Sequence, residues 1–231
     1  MAFKDYFSQH SAEYAVYRPR YPDALFSYLA SLSPRRDRAW DCATGNGQAA
    51  IGLVPYFREV IATDPSRSQL DNAISHPQIS YRQEPAEACS IEENSIDLVT
   101  VSLALHWLDR PQFYGQVRRV LKPNGIVAAW CYGVLRVSPE VDTIVDRIYS
   151  EILDKYWFPE RRAIEDQYRS MDFPFEEVQP PSFSLSRTWS LEEVAGHIKT
   201  WSASQRYRSE NHRDPVDLVG AELAAAWGIR T

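Results

Sequence analysis

The sequence predicts an α/β protein built on a doubly wound, mainly parallel sheet with helices on both faces. Three observations carry that expectation. Five short apolar runs alternate with helix-like segments over the first two-thirds of the chain. A turn of small residues joins the first run to a helix. An acid, Asp64, closes the second run about twenty residues beyond that turn.

The runs follow in order. Arg38-Ala39-Trp40-Asp41-Cys42 breaks into Ala43-Thr44-Gly45-Asn46-Gly47, and a helix is expected from Gln48 to Phe57, with Pro55 near its end. Glu59 to Asp64 is β-branched and closes at Pro65-Ser66, where Ser66 can cap a helix to about Ser75. Ile79 to Glu84 is the third strand, and Ile96 to Ser102 the cleanest buried one. A helix from Pro111 to Leu121 and a turn at Lys122-Pro123-Asn124-Gly125 lead to a fifth strand, Ile126–Trp130. Beyond it, helix is expected over Glu140–Trp157, and a second charged segment runs from Pro159 to Met171. A proline-rich connection reaches Pro181, then Phe183, Leu185, Arg187 and Trp189 alternate as in one more strand. Ser190-Leu191-Glu192-Glu193 is a capping box opening a helix towards Trp201, and Ala221–Trp227 is helix-like.

Composition narrows the function. The 231 residues carry a formal charge of −6, whereas a general nucleic-acid binder would more often show a basic face. No run approaches the ~20 apolar residues of a membrane span, and the charged start Met1–Phe7 does not read as a signal peptide. Cys42, Cys89 and Cys131 form no CxxC pair, so free thiols in a reducing cytoplasm are expected. Nucleic acid, membrane and metal are therefore not expected as partners.

The chemistry concentrates at the tips of the first two strands. Small residues in Ala43–Gly47 let backbone approach a ligand, and the helix start offers free N–H groups. Asp64 can accept both hydroxyls of a ribose. A dinucleotide site wants G-x-G-x-x-G for its pyrophosphate, but here the pattern is D-x-A-x-G-x-G. An acid ahead of the small residues, Asp41, suits the ammonium of S-adenosylmethionine (SAM) and not a pyrophosphate.

Asp41-x-Ala43-Thr44-Gly45-Asn46-Gly47-Gln48, Ile61–Asp64, Ala86-Glu87-Ala88, Ile96–Thr100, Ala104–Trp107 and Arg119–Gly125 together resemble the ordered motifs of class I SAM-dependent methyltransferases. The similarity is to the type 11 group that includes trans-aconitate methyltransferase-like proteins. Tyr17–Pro22, Trp157–Arg162 and Trp201–Tyr207 extend it over nearly the whole chain. The resemblance implies a Rossmann-like fold in one domain: an N-terminal helical lid over 1–36, a SAM-binding core over 37–135, and cap helices with a C-terminal strand and helices over 136–231. It implies that Asp41, Ala43, Gly45 and Gly47 line the methionine end of SAM, that Asp64 and Pro65 sit at the ribose, Ala86 and Glu87 at adenine, and Ser102 under the sulfonium. Ala43 replaces a common glycine, and Pro85 stands where many relatives have an acid, for which Glu87 is the expected substitute. The group usually ends in an antiparallel seventh strand, which is not expected in this sequence. Edge-to-edge pairing with another chain, giving a homodimer, or a rearranged sixth strand is the expectation.

Methyl transfer from a sulfonium needs alignment and exclusion of water and no nucleophilic side chain. A small-molecule acceptor is expected. A carboxylate acceptor would want an arginine clamp, from Arg18 and Arg20 or Arg161 and Arg162. A phenol or amine would want a base, for which His106 is placed just after the fourth strand. Tyr14, Tyr17, Tyr21, Trp107, Trp130 and Tyr132 are candidate walls of the site, with Tyr17, Arg18, Tyr21, Trp107 and Tyr132 expected to contact the acceptor. Two competing readings are a catalytically silent SAM-binding protein and an NAD-type oxidoreductase; an RNA methyltransferase is disfavoured by charge.

Overall fold

The computed structural model describes residues 17–228. The proposed wall residue Tyr14 and the first 16 residues of the expected lid lie outside them. Five parallel strands form one sheet in the order β3-β2-β1-β4-β5: β1 (Arg38–Cys42), β2 (Glu59–Thr63), β3 (Ile79–Arg82), β4 (Ile96–Ser102) and β5 (Leu121–Trp130). The chain moves outward from β1 to β3, then returns to β4 on the other side. The strand order therefore reverses between β1 and β4, which opens a crevice at their C-terminal ends.

Helices cover both faces. On one, Phe113, Val117 and Val120 of α4 (Arg110–Val120) pack against Trp40, Val99 and Val101. On the other, α1 (Asp23–Leu32) and α2 (Gln48–Leu53) bury Phe26, Leu29, Ala49 and Leu53 against Val60, Ala62 and Leu98. Contact between those two helices requires Gly52, since a Cβ there would meet the Phe26 ring at 2.1 Å. β4 is buried at six of its seven positions, as a central parallel strand with both faces covered should be. Asp97 at its base accepts the backbone N–H groups of Asp37 and Arg38 and pairs with Lys122 at 2.9 Å, which ties β1, β4 and β5 together.

Several boundaries differ from the sequence reading. α2 stops at Leu53, two residues before Pro55. Ser66 caps α3 (Arg67–Asp71) as expected, but that helix is short. The turn at Lys122–Gly125 lies inside β5, whose register jumps from Ile96↔Leu121 to Leu98↔Ile126. The stretch expected to be helical to Trp157 is α5 (Pro139–Arg147), then a π turn over Ile148–Ile152 and a 3₁₀ turn over Asp154–Tyr156. The strand expected over residues 183–189 does not form. The alternation there marks an extended chain with one side packed, Phe183 lying 5.7 Å from the Tyr28 ring, and not a hydrogen-bonded ladder. Among the described residues no sixth or seventh strand joins β5.

After the sheet, α5, α7 (Leu191–Lys199), α8 (Ser202–Asn211) and α9 (Gly220–Gly228) enclose a second core of Val141, Ile148, Leu153, Val194, Ile198 and Leu223. The capping box at the start of α7 is present on Ser190 and Glu193. α6 (Arg161–Glu165) is a single short turn between the sheet and this cap. Among the described residues no helix is long and apolar enough to cross a membrane.

Candidate active site

The turn after β1 is held from below. Asp41 is fully buried and accepts hydrogen bonds from the hydroxyls of Thr44 and Thr100, the latter at 2.8 Å. Burial pushes its carboxyl up to about 6. Ala43 and Gly45 both adopt left-handed backbone, at φ 53° and 56°, so the turn folds back over Asp41 and returns Thr44 N–H to the Thr63 carbonyl at 3.0 Å. Asp64 clamps the turn from the side: one oxygen accepts Gly45 N–H and the other Ser66 N–H, each at 2.8 Å.

Above these residues lies a cavity of about 760 Å³, within the range of small-ligand sites. Ala43, Gly45, Asp64, Pro65, Ala86, Glu87, Ser102 and Tyr21 all line it. Glu87 is fixed by accepting Asp109 N–H at 2.9 Å, and the Ser102 hydroxyl bonds to that of Tyr21. Two residues expected at the ligand do not line this cavity. Asp41 supports the turn from beneath and does not reach the cavity. Gly47 is required by a neighbour: at φ 85°, a Cβ there would meet the Tyr81 hydroxyl at 2.1 Å.

A second cavity of about 340 Å³ adjoins the first, and Leu103, His106 and Trp107 line both. Leu103 is left-handed at φ 52° although it is not glycine. Backbone strain of this kind collects at functional sites, and here it turns the chain out of β4 into the 3₁₀ turn Leu105–Trp107. His106 Nδ1 lies 3.0 Å from the Tyr168 hydroxyl, and burial lowers the imidazole to about 4. It is therefore neutral at pH 7, with an imidazole lone pair available, although burial makes it a weaker base than an exposed histidine.

The cap supplies the far wall of the second cavity. Arg18 donates to the Tyr132 hydroxyl at 3.1 Å and to the Thr200 carbonyl at 3.4 Å, and both Arg18 and Tyr132 line the cavity. His197 beside them is lowered to about 3 by burial and by the Arg18 charge. Arg161 also lines this space, whereas Arg20 and Arg162 are exposed and line neither cavity. Tyr17 lines neither; its ring packs on Gly196, and its carbonyl lies 3.0 Å from His197 Nδ1. Trp130 belongs to the core, edge-on to Tyr21 and Phe26. The sequence reading did not single out Tyr168, Tyr149 or His197. A tyrosine in a left-handed turn, at φ 64°, leaves no local signature, and the cap aromatics reach the cavity only through tertiary folding.

Comparison with known proteins agrees with this architecture. Residues 40–129 match the model of a family described as a methyltransferase domain. A Dictyostelium discoideum protein provisionally named a methyltransferase is 33% identical over 229 residues, covering 97% of this chain and 87% of that protein. The solved structure of a provisionally assigned type II methyltransferase from Anaeromyxobacter dehalogenans superposes with a TM-score of 0.85 at 40% identity, covering 92% of this chain and 90% of that one. A Saccharomyces cerevisiae protein provisionally named an S-adenosylmethionine-dependent methyltransferase is 31% identical over 156 residues, 64% of this chain and 50% of that protein. The chain belongs to this family of methyltransferases.

Proposed function

We propose that the larger cavity holds SAM and that the smaller one holds a small-molecule acceptor whose oxygen, of a carboxylate or a hydroxyl, receives the methyl group. One observation carries the donor assignment. Among the described residues, every charged side chain lining the larger cavity is acidic: Asp64, Glu87, Asp109 and Glu160. SAM brings an ammonium and a sulfonium, so an all-acidic set of charges fits it, whereas a pyrophosphate in the same space would face four carboxylates and no basic side chain.

Asp64 would accept the ribose hydroxyls beside the bonds it takes from Gly45 and Ser66, and Glu87 with Ala86 would border the adenine. The Ala43–Gly45 turn would receive the methionine end. Ser102 and Leu103, at the end of β4, would sit beneath the sulfonium. When bound, SAM supplies a methyl carbon already activated by positive sulfur. The protein's task is alignment: the strand tips fix one reactant, the cap fixes the other, and Trp107 with Leu103 screens the junction from water. His106 faces both compartments, where a base for a protic acceptor belongs.

Calorimetric titration with SAM and with NAD tests the donor reading. Saturable binding of SAM with no heat from NAD is expected; NAD binding in place of SAM would overturn it. Transfer of labelled methyl to an acid or hydroxyl acceptor checks that bound SAM is used.

A further inference from the structure

The two cavities differ in charge. Against the four carboxylates of the larger one, the smaller is lined by three arginines, Arg18, Arg136 and Arg161, and a single carboxylate, Glu165. Resting on the donor reading above, we propose that the smaller cavity takes a flat, anionic acceptor that presents a hydroxyl to His106 and its negative group to Arg161, the hydroxyl oxygen being the methylated atom.

Arg161 anchors the anionic end. Its Nε pairs with Glu165 at 2.8 Å, and Nη2 lies 3.7 Å from the exposed Asp154. Nη1 is buried and has no hydrogen-bond partner. A buried guanidinium donor left unmade is unfavourable, and a small shift of the lining that opened Nη1 to an acceptor oxygen of a ligand would relieve it. The guanidinium also lies over the rings of Tyr149 and Trp157, at 5.2 Å and 5.5 Å, so its plane is held in place. Arg18 adds a second guanidinium on this side. Arg136 is spoken for by Asp146 at 2.8 Å and contributes mainly field.

The walls between the ends are aromatic. Trp107 meets Phe158 edge-on at 5.4 Å, and Trp157 joins Tyr149 and Trp201 in one cluster. Stiff rings of this kind suit a planar guest.

The transfer point itself carries no cation. Only Leu103, His106 and Trp107 line both cavities. A carboxylate being methylated there would have its charge away from every arginine of the cavity, against an all-acidic neighbour. A hydroxyl has no such difficulty and finds a base. In the tautomer that carries its proton on Nδ1, facing the Tyr168 oxygen 3.0 Å away, Nε2 is the accepting nitrogen. The acceptor O–H bond breaks and its proton passes to His106 Nε2. The oxygen lone pair forms the new O–C bond as the methyl–sulfur bond breaks, its electron pair staying on sulfur. His106 then releases the proton to solvent. Atoms and charge balance without a further reactant.

The test uses hydroxybenzoates and hydroxycinnamates, their carboxamides, and the parent acids without a hydroxyl. Each is incubated with enzyme and methyl-labelled SAM, and product position is read by NMR. Methyl ethers are expected from hydroxy acids, with KM for the carboxamides raised about ten- to hundredfold, as loss of one charge-assisted contact implies. Parent acids should compete without being methylated. Arg161→Gln should raise KM for the acids by a similar factor and leave the carboxamides within about twofold; Arg161→Lys, which keeps the charge, should recover part of the loss. Methyl esters as products, equal KM for acid and amide, or no transfer to any hydroxy acid by an enzyme that calorimetry shows binding SAM would overturn the proposal. Failure of SAM itself to bind would instead bring down the donor reading and this one with it.

Discussion

Replacing Asp64 by asparagine should damage donor binding and the loop together, by separable amounts. The carboxylate is 8% exposed and accepts two backbone N–H groups at 2.8 Å, one on each oxygen. An asparagine has one accepting oxygen, so whichever way it turns, either Gly45 or Ser66 N–H faces an amide NH₂. A buried donor left in that state costs about 1–3 kcal/mol, so unfolding stability should drop by roughly 2 kcal/mol. The same substitution weakens charge-assisted bonds to the ribose, each about 1.5–3 kcal/mol. SAM affinity should then fall on the order of 100-fold. Urea unfolding reads the first quantity, and calorimetry below the unfolding transition reads the second. A variant that loses stability but binds SAM within twofold of the parent would refute the ribose role of Asp64 and leave it a loop clamp.

Three further outcomes follow from the geometry. Gly47→Ala should destabilise the fold by about 2–4 kcal/mol in urea, since it adds the left-handed penalty to a 2.1 Å clash with Tyr81, whose hydroxyl bonds Ile74 at 2.8 Å; a change under about 0.5 kcal/mol contradicts this. Tyr168→Phe removes the partner 3.0 Å from His106 Nδ1 and should lower kcat about tenfold with KM within twofold, whereas equal loss in both would indicate binding instead. Stability should fall as pH drops. His106 and His197 are lowered to about 4 and about 3, so between the unfolded value near 6.5 and those pH values the unfolded chain binds protons that the folded one does not. Asp41, raised to about 6, acts in the opposite sense above pH 4. His197→Phe, removing one of the two histidine contributions, should therefore flatten the acid side of the unfolding curve, and an unchanged slope would show the shift to be absent.

Much of the fold was readable because its central strands β1, β2 and β4 are buried along nearly their whole length and appear as short, mostly apolar runs; β4 is the clearest example. The larger cavity was readable because Ala43, Gly45, Asp64 and Ser102 sit at strand tips, where topology fixes their place. Asp41 and Gly47 belong to the same motif but do not line the cavity, and their contacts run to Thr44 and Thr100 in one case and Tyr81 in the other. Spacing cannot separate a residue that touches a ligand from one that supports the loop. The smaller cavity was half visible: Arg18 and Arg161 were candidates, but Arg20 and Arg162, equally basic beside them, point to solvent. Its walls come from the cap, whose approach to the sheet no local pattern encodes. The segment over 183–189 shows the converse error, since alternation reported one-sided packing and was taken for pairing.

The division of charge between the two compartments is tested most directly by a crystal structure with S-adenosylhomocysteine and a hydroxycinnamate bound together. The account predicts the nucleoside over Asp64 with its sulfur beside Ser102, the acceptor hydroxyl within hydrogen-bond reach of His106, and its carboxylate on Arg161. A carboxylate turned towards the sulfur, or a nucleoside lodged among the arginines, would contradict it.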